Sequence, residues 1–291
     1  MTANNAKSAA KQPLALRIIR GITALLCRVS PALATRWADK LFITPNSPQR
    51  PASEQPYYES ADKSSYVFEG RRVALYQWGA GEQTVLLVHG WGSRGTRLGH
   101  LAEPLNLRGY RVVTVDFPGH GDSDGKTTNL PEIVELLSRL HADFAPVHAI
   151  VGHSFGGMAT VAALHKHRLP VERVVLIAAP YSMDYVFDQF AETISLTPKV
   201  RERLASRIVE RFERTRQVNV YHLSPDRLVA SLAMPFLVIH DKEDREVAFE
   251  QGVGFAQGLP DVEFMGTEGL GHRRLLRDEG VVKALIEFIA Q

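Results

Sequence analysis

The sequence predicts an α/β protein with a mainly parallel central sheet, helices on both of its faces, and an inserted helical cap. Three observations carry that reading. Short β-branched apolar runs alternate with stretches of helical period, the pattern of a sheet buried on both sides. The alternation stops between Tyr181 and Leu228, where no strand pattern is found. The chain has 291 residues, 45% hydrophobic and 23% charged, which suits one large domain and argues against both a disordered chain and a membrane bundle.

In chain order, Met1 to Gln12 is polar and reads as disordered. Leu14 to Leu41 reads as helical with a break near Pro31, and Pro45 to Lys63, rich in Pro, Ser and Tyr, as a linker or wrapped loop. The body is expected to begin near Tyr66. Strands are predicted at Thr84 to His89, Arg111 to Asp116, Val147 to Val151, Arg173 to Ala178 and Phe236 to His240, with a last one around Val262 to Met265. Helices are predicted at Thr96 to Leu107, Pro131 to Phe144, Ser154 to His167 and Val281 to Ile289. Within the interruption, Met183 to Leu196 is aromatic and apolar. Thr197 and Pro198 then supply an N-cap and first-turn pair for a helix running to about Arg216, on which Val200, Leu204, Ile208 and Phe212 recur every four residues. The organisation expected is a basic arm and linker over residues 1–65, a core over 66–180 and 229–291, and a helical cap over 181–228.

The formal net charge of +2 hides an uneven distribution. Residues 1–50 hold eight Lys or Arg against the single acid Asp39, and the remainder carries 26 bases against 31 acids. The basic residues are not clustered, so no nucleic-acid partner is expected. Weak contact of the arm with a membrane surface is one reading; an arm whose apolar face packs on the body is the other. Arg17, Arg20 and Arg28 interrupt the apolar stretch of the arm before it could span a bilayer, and no signal-peptide pattern is found. The single cysteine, Cys27, cannot form an intramolecular disulfide, and a cytoplasmic location is expected.

The sharpest motif is Gly152-His153-Ser154-Phe155-Gly156-Gly157, set where a strand gives way to a helix. A serine on such a tight turn projects its hydroxyl above the sheet, and the flanking glycines remove side chains that would collide there. The N-terminus of the helix offers free N–H groups to a developing oxyanion. The second motif, His89-Gly90-Trp91-Gly92-Ser93, follows a strand, so the N–H of Trp91 is expected to pair with that of Phe155 as an oxyanion hole. A general base is also needed. Of eleven histidines, His272 in Gly269-Leu270-Gly271-His272 stands on a loop between the last strand and the final helix. His165, His167, His141 and His148 are placed by helix ends, while His120 and His153 are explained by loop packing as well as by chemistry. No histidine set has metal-ligand spacing. The segment His240-Asp241-Lys242-Glu243-Asp244 offers three carboxylates to orient the base, and spacing alone does not choose among them.

Together these motifs resemble the α/β-hydrolase superfamily, from about Tyr66 to Gln291. Asp116-Phe117-Pro118-Gly119-His120-Gly121-Asp122-Ser123 is similar to the family's loop after the fourth strand, and Ser154, Asp244 and His272 fall in the family's order of nucleophile, acid and base. The resemblance selects Asp244, four residues after the strand-end histidine. Asp241 stands where the family commonly has glycine, which leaves a second carboxylate near the base. The closest look is toward small esterases and lipase-like hydrolases, and a serine nucleophile argues against dehalogenases and epoxide hydrolases.

The resulting expectation is a serine hydrolase. Ser154 attacks a carboxylic ester of short to medium acyl chain, His272 takes its proton, Asp244 steadies the imidazolium, and the N–H groups of Trp91 and Phe155 hold the oxyanion. Tyr185, Phe187, Phe190 and Ile194 either line an acyl pocket or pack the cap on the core. A small ester-like molecule is the expected partner, with no cofactor and no metal. Thioesterase, amidase or peptidase, and carbon–carbon bond hydrolase activities use the same residues. A noncatalytic ligand-binding protein is the alternative from another class.

Overall fold

A computed structural model describes residues 13–291. The expectation of disorder over Met1 to Gln12 falls outside the described residues. Among the described residues, eight strands form one sheet in the order β1-β2-β4-β3-β5-β6-β7-β8. They are β1 (Asp62–Phe68), β2 (Arg71–Trp78), β3 (Thr84–Val88), β4 (Arg111–Val115), β5 (Val147–His153), β6 (Arg173–Ile177), β7 (Phe236–Asp241) and β8 (Val262–Thr267). β2 runs antiparallel to both its neighbours and every other pairing is parallel. Each central strand serves both layers: on β3, Leu86 and Val88 face one core and Val85 and Leu87 the other.

The helices are α1 (Leu14–Val29), α2 (Pro31–Phe42), α3 (Gln55–Ser60), α4 (Ala102–Asn106), α5 (Leu130–Asp143), α6 (Phe155–His167), α7 (Met183–Ile194), α8 (Pro198–Arg216), α9 (Phe249–Gly258), α10 (Gly271–Arg274) and α11 (Glu279–Ile289). α5 and α6 pack on one face of the sheet, α4 and α11 on the other. The break at Pro31 has a local cause. Ser30 accepts the Leu33 N–H and Pro31 occupies the first helical position, so one helix ends where the next is capped.

Several boundaries differ from the sequence reading, each for a physical reason. The sheet begins at Asp62, before the expected Tyr66, and Pro45 to Lys63 is not all linker, since it contains α3 and the start of β1. β1 is an edge strand paired only with β2 and its residues up to Val67 are mostly exposed, so it carries no apolar alternation to read. Thr96 to Leu107 is not one helix but a 3-10 segment, Gly95–Leu101, followed by α4. Gly99 lies so close to Tyr57 that an added Cβ would stand 2.5 Å from the tyrosine Cβ, and Pro104 leaves α4 without one N–H. Thr197 holds the N-cap position of α8, yet its side chain makes no capping hydrogen bond; only its carbonyl accepts, from Val200 and Arg201. His272 stands on the single turn α10 and not in an irregular loop.

The stretch between β6 and β7 holds α7 and α8. The four-residue period of α8 is borne out: Val200, Leu204, Ile208 and Phe212 are all buried. Against α8 lies α2, where the buried Asp39 carboxylate receives Arg207 at 2.7 Å and also Arg211.

Candidate active site

β5 delivers Ser154 at its carboxyl end, and α6 begins at the next residue. Ser154 has a φ of 54°, a left-handed conformation that a side chain adopts only when its surroundings enforce it, at a cost of about 1–3 kcal/mol. The enforcement is visible. The Ser154 N–H donates to the Ile177 carbonyl at 2.8 Å, and the Gly157 N–H donates to the Ser154 carbonyl at 2.9 Å. Gly152 and Gly156 permit the turn: an added Cβ would stand 2.6 Å from Gly157 Cα in the first case and 2.4 Å from the Val88 carbonyl oxygen in the second.

The loop after β3 brings Trp91 beside this turn, its ring edge-on to Phe155 with centroids 5.3 Å apart. Among the described residues, the N–H groups of Trp91 and Phe155 donate to no protein acceptor, so both remain open to a ligand oxygen. Two buried histidines brace the loop. His89 accepts the Phe117 N–H at Nε2 and donates from Nδ1 to Gly90; His120 accepts the Gly92 N–H and donates from Nδ1 to Pro118. Burial lowers the pKa of both, that of His120 to about 4, so neither ring carries charge near neutrality.

The motif around Asp116 ties the loops after β3 and β4 together. Its buried carboxylate accepts from Gly95 N–H at 2.7 Å, Asp122 N–H at 2.8 Å and the Tyr76 hydroxyl at 3.0 Å. Burial nevertheless raises its pKa to about 6.

Of the three carboxylates after β7, the structure brings Asp244 to the histidine. Its Oδ2 lies 2.7 Å from His272 Nδ1, while Oδ1 accepts the N–H groups of Glu246 and Val247 at 2.8 and 2.9 Å. The Asp244 side chain is fully buried, which strengthens the pairing. Asp241 turns the other way. It accepts the Thr267 hydroxyl at 2.7 Å and the N–H groups of Glu243 and Leu270. Burial pushes its pKa up, but these hydrogen bonds outweigh it and hold the group below its ordinary value. Glu243 is exposed.

Two histidines that sequence reasoning did not place in the site hold its parts. His153 lies at Nε2 3.2 Å from the His272 carbonyl, with the two rings 4.8 Å apart. His240 donates from Nε2 to the Val247 carbonyl at 3.0 Å, and the same nitrogen is 3.6 Å from Asp244 Oδ2. Burial lowers the pKa of each. Their positions in the two motifs were legible, but their contacts depend on packing that no spacing encodes.

Ser154 and His272 line one cavity of about 400 Å³. His272 pairs through Nδ1 with Asp244 and through its carbonyl with His153, and among the described residues no hydrogen bond joins the Ser154 hydroxyl to the ring, although both side chains line the same cavity. The cavity wall is mostly apolar, from Phe42 and Ile43 at the end of α2, Leu130 of α5, and Met183, Val186 and Phe190 of α7. Of the four cap residues singled out in the sequence, only Phe190 lines it. Phe187 is buried against Phe42 at 5.1 Å, Ile194 is in the core, and the Tyr185 hydroxyl accepts the Ala248 N–H. All five apolar residues lie on one broad face of α7; its edge toward Gln189 and Thr193 lines the cavity, while Phe187 and Ile194, at the other edge, turn into the core.

A parallel sheet in this strand order, with helices on both faces and a serine on the turn after β5, is the architecture of the α/β hydrolases. The chain belongs to the α/β-hydrolase family, whose model it matches over residues 85–284. Among related proteins, the 2-hydroxy-6-oxononadienedioate/2-hydroxy-6-oxononatrienedioate hydrolase of Cupriavidus pinatubonensis is 26% identical over 248 residues, 69% of this chain and 84% of that one. The pimeloyl-(acyl-carrier protein) methyl ester esterase of Vibrio cholerae is 40% identical over 111 residues, 37% of this chain and 41% of the esterase. Among solved structures, a membrane phospholipase A described as a bacterial virulence factor has a TM-score of 0.62 at 19% identity, covering 95% of this chain and 96% of its own. The esterase RhEst1 from Rhodococcus sp. ECU1013 has a TM-score of 0.59 at 20% identity, covering 80% and 99%. The structural likenesses establish the fold, and the related sequences are those of hydrolases.

Proposed function

We propose that the protein is a serine esterase working through an acyl-enzyme. Ser154 attacks the ester carbonyl as His272 Nε2 takes its proton, and Asp244 holds Nδ1–H and stabilises the imidazolium. The N–H groups of Trp91 and Phe155 receive the oxyanion. Collapse of the tetrahedral species returns the proton to the leaving alcohol, and water repeats the sequence on the acyl-serine. The observation that carries this reading is the 2.7 Å contact between Asp244 and His272 on the wall of the cavity that also holds the strained Ser154. α7 and α8 act as a cap over that cavity, and its apolar wall suits an acyl chain.

A second reading comes from the Cupriavidus relative, whose name describes a hydrolase of dioates. Two carboxylates call for two cations. Apart from His272, the described wall offers only Arg245, with Glu246 beside it, so an ester with one apolar arm fits better.

Turnover of p-nitrophenyl esters across acyl-chain lengths tests the proposal. We expect a chain-length optimum, and a loss on the order of 10³-fold or more in kcat for Ser154→Ala. Unchanged turnover in the variant would remove Ser154 as nucleophile. No turnover and no labelling by a fluorophosphonate would favour a noncatalytic binding role, whereas turnover of 2-hydroxy-6-oxononadienedioate alone would favour the second reading.

A further inference from the structure

The N-terminal arm carries an apolar stripe that folding does not use. Leu14, Ile18, Ile22, Leu25 and Val29 of α1 are all exposed, Leu14 at 68% and Val29 at 71%, and Leu33 continues the row onto α2. At about 100° per residue the five α1 positions fall within ~80° of one another, a single helix face. A different face does the packing: Ile19 meets the core, and the fully buried Thr23 accepts the Trp37 indole N–H at 3.1 Å. α1 is therefore apolar on two sides, and the fold accounts for one. A contiguous exposed apolar patch is the mark of a contact surface.

Charge identifies the partner. Arg17, Arg28, Arg36 and Lys40 are exposed on the arm, and Arg17 and Arg28 border the stripe along one edge. The only acid in residues 1–50 is Asp39, buried and engaged by Arg207 and Arg211. A ridge of leucine and isoleucine edged by cations, with no exposed carboxylate, complements acyl chains beneath anionic headgroups. It does not complement a second copy of itself, because two such arms face to face would oppose like charges.

We propose that α1 docks on an anionic membrane surface, with the stripe from Leu14 to Val29 among the acyl chains and Arg17, Arg28, Arg36 and Lys40 against the phosphates. Among the described residues no helix is long and apolar enough to cross a membrane, so the arm lies on the surface. Docking bears on the cavity directly. α2, ~18 Å long at 1.5 Å per residue, ends at Phe42 on the cavity wall. α1 also packs on α7, which forms another part of that wall. The cavity is thus held within about a helix length of the lipid. Resting on the esterase reading above, this makes amphiphilic esters drawn from the bilayer the substrate class.

Flotation of the full chain with vesicles tests docking independently of catalysis, using phosphatidylcholine alone and an equal mixture with phosphatidylglycerol. We expect flotation with the anionic mixture, shared by Ser154→Ala and weakened by salt. Combining Ile18→Ser with Leu25→Ser should lower partitioning more than about tenfold, and because both side chains are exposed the variant should melt as the parent does. Arg17→Gln and Arg28→Gln should each cost about fivefold. Absence of flotation with anionic vesicles, or flotation untouched by the paired serine substitutions, overturns the proposal. So does a dimer in sedimentation that those substitutions dissociate while vesicles bind nothing, which would assign the stripe to a second copy. Flotation that holds while ester turnover fails removes the esterase reading and leaves docking standing.

Discussion

Asp241 and Asp244 are three positions apart and chemically identical, yet their surroundings give them separate tasks. Asp244 faces the imidazole; Asp241 gathers the Thr267 hydroxyl and two N–H groups, and so fixes the turn that leads to His272. Asp244→Asn keeps the shape and the acceptor for Glu246 and Val247 but presents an amide to Nδ1 of His272. On the proposed mechanism the histidine then keeps its proton on Nε2 and cannot accept one from Ser154, so kcat should fall about 10⁴-fold while the melting temperature changes little. Asp241→Ala should do the opposite in first effect. Three donors lose their acceptor, and stability should drop by about 1–3 kcal/mol in chemical denaturation. Equal loss of activity with no loss of stability in both variants would contradict this division of roles.

Between elements, the arm is joined to the insertion by a buried charge. Asp39 on α2 takes both Arg207 and Arg211 of α8, and Arg20 of α1 donates to Ser195 at the end of α7 at 2.8 Å. The arginines remain partly exposed, so water screens much of the attraction, and we expect Asp39→Ala to cost about 1–2 kcal/mol. In a chain of this size that is a fall of roughly 2–3 °C in melting temperature. Proteolysis should register the change first in the arm, as faster cleavage before residue 44. Unaltered cleavage and melting would mean that apolar contacts alone hold α2 in place, among them the stacking of Phe42 on Phe187.

Across the whole molecule, the loops around the cavity are braced by buried neutral histidines, which ties folding to pH. Burial depresses the pKa of His89, His120, His153 and His240. A base whose folded pKa is depressed contributes stability that is present above its ordinary value of about 6.5 and is lost as pH falls toward the folded value, about 4 for His120. For His120, with its folded value of about 4, that loss is roughly 2 kcal/mol between pH 7 and 5, and the other three rings act in the same direction. Asp116 opposes them. Its raised pKa of about 6 favours the protonated fold, which returns about 1 kcal/mol over the same interval. Four histidines outweigh one carboxylate, so the melting temperature should fall steeply below pH 6.5. A flat profile from pH 7 to 5 would show that these rings are charged or solvated in the folded state.

Legible in the sequence were the order of the strands from β3 onward, the helices α5, α6, α8 and α11 but not α9, the turn at Ser154 and the residues grouped after β7. Each of these is written as a local signal, in apolar runs, glycines at fixed offsets or a serine between strand and helix. β1 escaped because an exposed edge strand has no buried face to impose alternation, and the segment from Gly95 to Asn106 because its form follows from packing against Tyr57. Which carboxylate meets His272, which edge of α7's apolar face lines the cavity, and that α1 is apolar on two sides emerge only from the packing of the whole chain. Those outcomes depend on the direction in which a side chain leaves its element and on what lies opposite. Contacts between residues far apart in the chain set both, and no local pattern records them.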